Sequence, residues 1–142
     1  MIAIDTNLLI YAHRSAVTEH KAARSAIQRA ARSSAGWGIA LPVIGEFWSV
    51  ATHPSCLGGP STPGQAASFL RSLLDSGAGA IWQPGPDFGV RLVQLACDLK
   101  VIGTRIFDLQ IALVAYENGA TEIWTHDADF ITIPGLQTLD PL

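Results

Sequence analysis

Short β-like runs alternate with longer helical patterns along the chain: IAI at 2–4, WGIAL at 37–41, AIW at 80–82, EIWT at 122–125 and LQTL at 136–139. This alternation predicts an α/β fold, a mainly parallel sheet with helices on both faces. A chain of 142 residues fits one domain, spanning 1–142, and that length buries roughly 68–70% of the surface its unfolded form exposes.

The helical segments carry their own punctuation. From Glu19 to Ser33, Ala22, Ala23, Ala26, Ile27 and Ala30 form one stripe, with Lys21, Arg24, Gln28 and Arg32 largely off it. Thr62-Pro63-Gly64-Gln65 combines a Thr N-cap, a Pro at the first helical position and a Gln three residues after the cap, predicting a helix to about Ser76. The Gly, Pro and Ser of residues 53–61 predict an exposed loop before it. Two more helices are expected, from about Asp87 to Leu99 and from about Phe107 to Asn118, the latter stopped by Asn118-Gly119.

Composition narrows the function classes. No apolar run approaches the ~20 residues needed to cross a bilayer, and MIAIDTN lacks a basic region ahead of an apolar one, so a cytoplasmic protein is expected. Cys56 and Cys97 stand outside any metal-binding spacing and are expected to be reduced and structural, Cys97 within an apolar helical pattern. A net charge of −3 argues against holding nucleic acid by bulk positive field, so an anionic substrate needs local arginines or a metal.

Four of the twelve acids sit where apolar residues are expected. Asp5 ends the first β-like run, and Asp127 follows EIWT inside THDADF; ligand sites of open α/β sheets lie outside those strand ends. Glu46 lies beside Val43 on a helix whose Val43, Phe47 and Val50 form a stripe, and Asp108 precedes Ile111, Ala112 and Ala115 on another. Taken singly, each has a plainer explanation. Asp5 suits a helix N-cap, Glu46 or Asp108 an arginine partner, and THDADF a turn with Asx-type bonds. Together, four carboxylates at a low-dielectric rim repel one another and must bind protons unless a cation compensates them. Hard oxygen ligands without His or Cys spacing favour Mg²⁺ or Mn²⁺ over zinc, and such a site activates water for in-line attack on a phosphodiester.

An initial strand ending in D-T-N, a mid-chain helix carrying Glu46, a D-x-x-I-A helix at Asp108 and a strand leading into D-x-D-F together resemble the PIN-domain ribonucleases, specifically VapC-type toxins of toxin–antitoxin pairs. The likeness extends over the whole chain and rests on the order and spacing of its motifs. It implies a three-layer α/β/α PIN-like domain with a parallel sheet of about five strands, and metal-dependent cleavage of RNA. Asp5 and Asp108 match the family's principal metal ligands, Glu46 its third acid and Asp127 its fourth. Asn7 and Thr125 match residues that orient the cluster. Thr6 is expected to serve the backbone at the helix start, and Asp129 to bond amides of its own loop while Phe130 turns back into the core. Arg105, in a Gly-Thr-Arg loop, Arg14 and His126 are candidate RNA contacts. The likeness further implies a VapB-type antitoxin as partner and a homodimer. Leu109 departs from the pattern, since a small residue is more usual there, as does His126 ahead of the fourth acid.

Two other readings compete. A receiver-like signalling domain keeps the fold but needs a lysine after a late strand, whereas Lys21 and Lys100 lie in or next to helices. A catalytically silent PIN module binding RNA or protein would not need all four acids.

Overall fold

The computed structural model describes residues 1–75 and 79–142. Its elements run β1 (Ile2–Ile4), α1 (Thr6–His13), α2 (His20–Ala31), β2 (Trp37–Ala40), α3 (Leu41–Ala51), α4 (Pro63–Asp75), β3 (Gly79–Trp82), α5 (Phe88–Asp98), α6 (Arg105–Glu117), β4 (Glu122–Trp124) and β5 (Gln137–Leu139). All four strand pairings are parallel, in the order β3-β2-β1-β4-β5. The expected three-layer α/β/α architecture is thus present, with six helices around a five-stranded sheet among the described residues.

Strand β1 is central and fully buried, which explains why it reads as an unbroken apolar run; β5, at an edge, is exposed throughout. Trp37 and Trp82 fill the space beside two glycines. A Cβ on Gly38 would lie 2.5 Å from the Trp82 ring and 2.7 Å from the Ala80 carbonyl oxygen, and one on Gly79 would lie 2.5 Å from the Trp37 ring. Each glycine lets an indole lie close to the backbone of the neighbouring strand.

The start of α4 follows the expected capping box. The Gln65 amide donates to Thr62 Oγ1 at 3.2 Å, and the Thr62 amide donates to Gln65 Oε1 at 2.9 Å. Ser76, the expected end of this helix, lies outside the described residues. Helix α6 stops at Asn118-Gly119, with Gly119 at φ +88°, a conformation open to glycine at little cost.

Several expected faces differ. Ala22 is exposed, and the buried stripe of α2 is Ala23, Ala26, Ile27 and Ala30. On α3 the buried stripe is Val43, Phe47 and Ala51, centred on Phe47; Val50, about 60° around the helix from Phe47, points outward at 42% exposure. Cys97 is exposed rather than structural, since α5 packs against α6 and has no fully buried residue. Leu109 is fully buried, so the larger residue after Asp108 serves the core. Among the described residues no helix is long and apolar enough to cross a membrane.

Candidate metal centre

The chain passes from β1 outward to β2 and β3, then returns to place β4 on the other side of β1. The strand order reverses between β1 and β4, and ligand sites of open α/β sheets lie outside the C-terminal strand ends at such a point. Asp5 leaves β1 at this point, its amide donating to the Trp124 carbonyl at 3.0 Å. Asp5 is also the N-cap of α1. Its Oδ1 accepts from the Thr6 amide at 2.7 Å, and its Oδ2 accepts from Thr125 Oγ1 at 2.6 Å and Asn7 Nδ2 at 2.9 Å.

Burial decides the charge state of Asp5. The residue is 6% exposed, and desolvation pushes its carboxyl up from 3.8 to about 6, against the hydrogen bonds from Thr125 and Thr6 that pull it down. The charges of Glu46 and Asp108 push in the same direction as burial. All its hydrogen-bond donors are neutral, so they solvate its charge without cancelling it.

Thr6 does not serve the backbone as expected; Asp5 itself does, and the Thr6 hydroxyl donates to Glu46 Oε2 at 2.6 Å. Glu46 therefore turns toward the start of α1 from an exposed position on α3. Asn7 bridges the two strand ends: its Nδ2 donates to Thr125 Oγ1 at 2.9 Å as well as to Asp5, and its Oδ1 accepts from the His126 amide at 3.2 Å. Thr125 Oγ1 also accepts from the Asp127 amide at 3.1 Å, tying the fourth acid to the same network.

Asp108 lies in the first turn of α6, where the partial positive charge of the helix end favours a carboxylate. Its Oδ2 accepts from the Ile131 amide at 3.3 Å. Arg105 is the first residue of α6 and not part of a loop, so its side chain stands one turn before Asp108 on the same face. Its Nη1 donates to Asp108 Oδ2 at 3.1 Å and Asp127 Oδ2 at 2.9 Å, and Nη2 lies 3.6 Å from Asp129 Oδ2. No local pattern in the sequence signals this bridge, because Asp127 comes from a segment 22 residues away from Arg105.

The loop after β4 departs from expectation at Asp129. Asp129 does not bond the loop amides; its own amide donates to Asp127 Oδ1 at 2.9 Å, which together with Arg105 lowers the Asp127 carboxyl. Phe130 does return to the core. His126 turns aside to Asp140, with 2.8 Å between Nδ1 and Oδ2. Arg14 is buried at the other end of α1, about 13 Å along the helix from Asp5 by helical rise. Its guanidinium donates to the Ala51 and Gly59 carbonyls, closing α3 and the following loop, so it is committed to packing and not free to meet RNA.

The donor set at the rim is oxygen-only, which suits a hard divalent cation such as Mg²⁺ or Mn²⁺. Asp5, whose charge is poorly tolerated by its buried surroundings, gains from a neighbouring cation. As the side chains stand, no three acidic, histidine or cysteine residues among those described are grouped to hold an ion, and the Arg105 guanidinium lies between two of the acids.

Carboxylates that follow β1 and β4 or stand on α3 and α6 gather at the switch point of an acidic α/β domain. The PIN domain family model matches residues 2–136. Ribonuclease VapC43 of Mycobacterium tuberculosis is 31% identical over 142 residues, covering 100% of this chain and 96% of that protein. Two solved structures share the fold. The M. tuberculosis VapC20 toxin, described as cleaving the sarcin-ricin loop, has TM-score 0.70 at 14% identity, covering 92% of each chain. VapBC2 of Rickettsia felis, bound to a DNA fragment from its promoter, has TM-score 0.68 at 22% identity, covering 98% of each chain. The chain belongs to the PIN-domain family, and within it to the VapC group.

Proposed function

We propose that this protein is the toxin of a VapBC-type toxin–antitoxin pair, an Mg²⁺-dependent endoribonuclease that hydrolyses RNA phosphodiester bonds in the cytoplasm, with Mn²⁺ able to substitute. VapC ribonucleases of the PIN family are metal-dependent nucleases. The observation that carries the reading is the network joining Asp5, Thr6, Asn7, Glu46, Thr125 and Asp127 at the switch point.

Asp5, Asp108, Asp127 and Glu46 are the groups that hold the cation. When bound, it supplies charge neutralisation at phosphate oxygens and a lowered pKa for attacking water. Asp5 is pinned through both oxygens, so its position at the rim is preset. Glu46 has one oxygen held by Thr6, which leaves the other for the cation. Thr125 and Asn7 keep Asp5 and the Asp127 loop in register. His126 flanks the rim beside Asp140 and is a candidate contact for RNA. A VapB-type antitoxin restrains the activity, and two copies of the chain form the working unit; the R. felis toxin–antitoxin complex, which shares this fold, supports such a partnership.

The test uses purified protein and total cellular RNA. Cleavage should require Mg²⁺ or Mn²⁺ and disappear in Asp5→Asn and Asp108→Asn variants that keep the wild-type circular dichroism spectrum. Cleavage that persists in excess EDTA sinks the metal mechanism. Induced expression should arrest growth, and equal toxicity of Asp5→Asn refutes the toxin reading.

A further inference from the structure

Arg105 Nη1 is the common neighbour of two carboxylate oxygens, Asp108 Oδ2 at 3.1 Å and Asp127 Oδ2 at 2.9 Å. The same two acids belong to the proposed cation site, on which this inference rests. We propose that Arg105 is an internal competitor for that cation: its guanidinium takes the place between Asp108 and Asp127, and a divalent ion is held there only after Arg105 has swung out.

The geometry makes the two states exclusive. A magnesium-sized ion needs its oxygen ligands at about 2.0–2.1 Å, whereas Nη1 keeps the two oxygens at hydrogen-bond distance from itself. An ion and Nη1 therefore do not share the gap. Arg105 suits the part because it stands on the first turn of α6, one turn from Asp108, and reaches across to the loop that carries Asp127 and Asp129. The contact cross-links that loop to α6 and cancels repulsion between acids that otherwise face one another. Its side chain is 37% exposed, so the guanidinium has solvent to move into without repacking the core. The surrounding contacts do not depend on it: Asp108 keeps the Ile131 amide and Asp127 keeps the Asp129 amide after Arg105 leaves.

Once released, Arg105 remains tethered beside the ion. It is then a positive charge at the rim of a chain with net charge −3, within reach of an RNA phosphate. The same residue thus raises the cation concentration needed for loading and marks the substrate side of the loaded site.

The test is a calorimetric titration of Mn²⁺ into chelator-stripped wild type, Arg105→Gln and Arg105→Lys. Arg105→Gln should bind Mn²⁺ about three- to tenfold more tightly than wild type, the range expected for removing partly exposed ion pairs. Arg105→Lys, which keeps the charge but loses the planar fork, should fall between the two. The thermal midpoint of Arg105→Gln should rise more than that of wild type on adding the same Mn²⁺. Equal or weaker binding by a folded Arg105→Gln overturns the inference. Absence of Mn²⁺ binding by all three proteins overturns the metal-dependent reading itself, so the two failures are distinguishable.

Discussion

The Thr6 hydroxyl donates to Glu46 Oε2 across 2.6 Å, joining the first residue of α1 to the middle of α3. The two residues are 40 positions apart, and the bond turns a surface glutamate toward the acid that ends β1. Thr6→Val keeps the shape and β-branching but removes the donor. The catalytic rate should fall about 10- to 100-fold, the usual effect of removing a group that orients a ligand. Steady-state cleavage of a fluorogenic RNA checks this, with Thr6→Ser restoring most of the rate. Wild-type rates for Thr6→Val would show that Glu46 needs no such support.

Asp5 makes the metal-free protein sensitive to pH. Its carboxyl stands at about 6 in the folded state against 3.8 ordinarily, so between those values the folded state holds more protons than the unfolded one. Stability therefore falls as pH rises through this window. Asp127 and Asp140, both lowered, act only below 3.8, and His13, lowered by burial, opposes the trend below 6.5. The comparison with Asp5→Asn isolates the term. In EDTA, wild type should lose roughly 1–2 kcal/mol relative to Asp5→Asn between pH 5 and pH 7.5. Parallel urea midpoints for the two proteins across that range would contradict the assignment.

Gly38 tests the sheet. A Cβ there collides with the Ala80 carbonyl, which is backbone of the neighbouring strand, and with the Trp82 ring. Neither yields without moving β3. Gly38→Ala should cost about 1–3 kcal/mol in urea denaturation, the range for overpacking a core. Gly45, where a Cβ meets nothing within 4 Å, is the control, and Gly45→Ala should not destabilise.

Arg14 separates packing from substrate binding. Removing its guanidinium strips charged donors from the Ala51 and Gly59 carbonyls, so Arg14→Ala should lose about 2–4 kcal/mol of stability. Cleavage per folded molecule, measured below the lowered melting transition, should stay near wild type. A specific loss of RNA affinity at unchanged stability would restore Arg14 as an RNA contact.

Asp5 and Asp108 were legible in the chain itself because each breaks a local pattern. Asp5 ends an apolar run, Asp108 precedes Ile111, Ala112 and Ala115 at helical spacing, and the capping box at Thr62 and Gln65 is written in four consecutive residues. Short-range periodicity and turn chemistry carry such information, since they depend on neighbours within one or two helical turns. The α/β alternation and the positions of most elements followed from these rules, whereas Glu46, read beside a buried stripe, stands exposed.

Tertiary structure alone decided what the polar groups do to one another. The order β3-β2-β1-β4-β5 brings Thr125 against Asp5 across 120 positions, and no local rule states that β4 pairs with β1. Arg105 and Arg14 show the consequence. By composition they are equivalent cations, yet one stands between Asp108 and Asp127 while the other is sealed under the Ala51 and Gly59 carbonyls. The physical reason is that an arginine side chain is long and its partner is chosen by what the fold brings within reach, whereas a buried aspartate is betrayed by the cost of its surroundings.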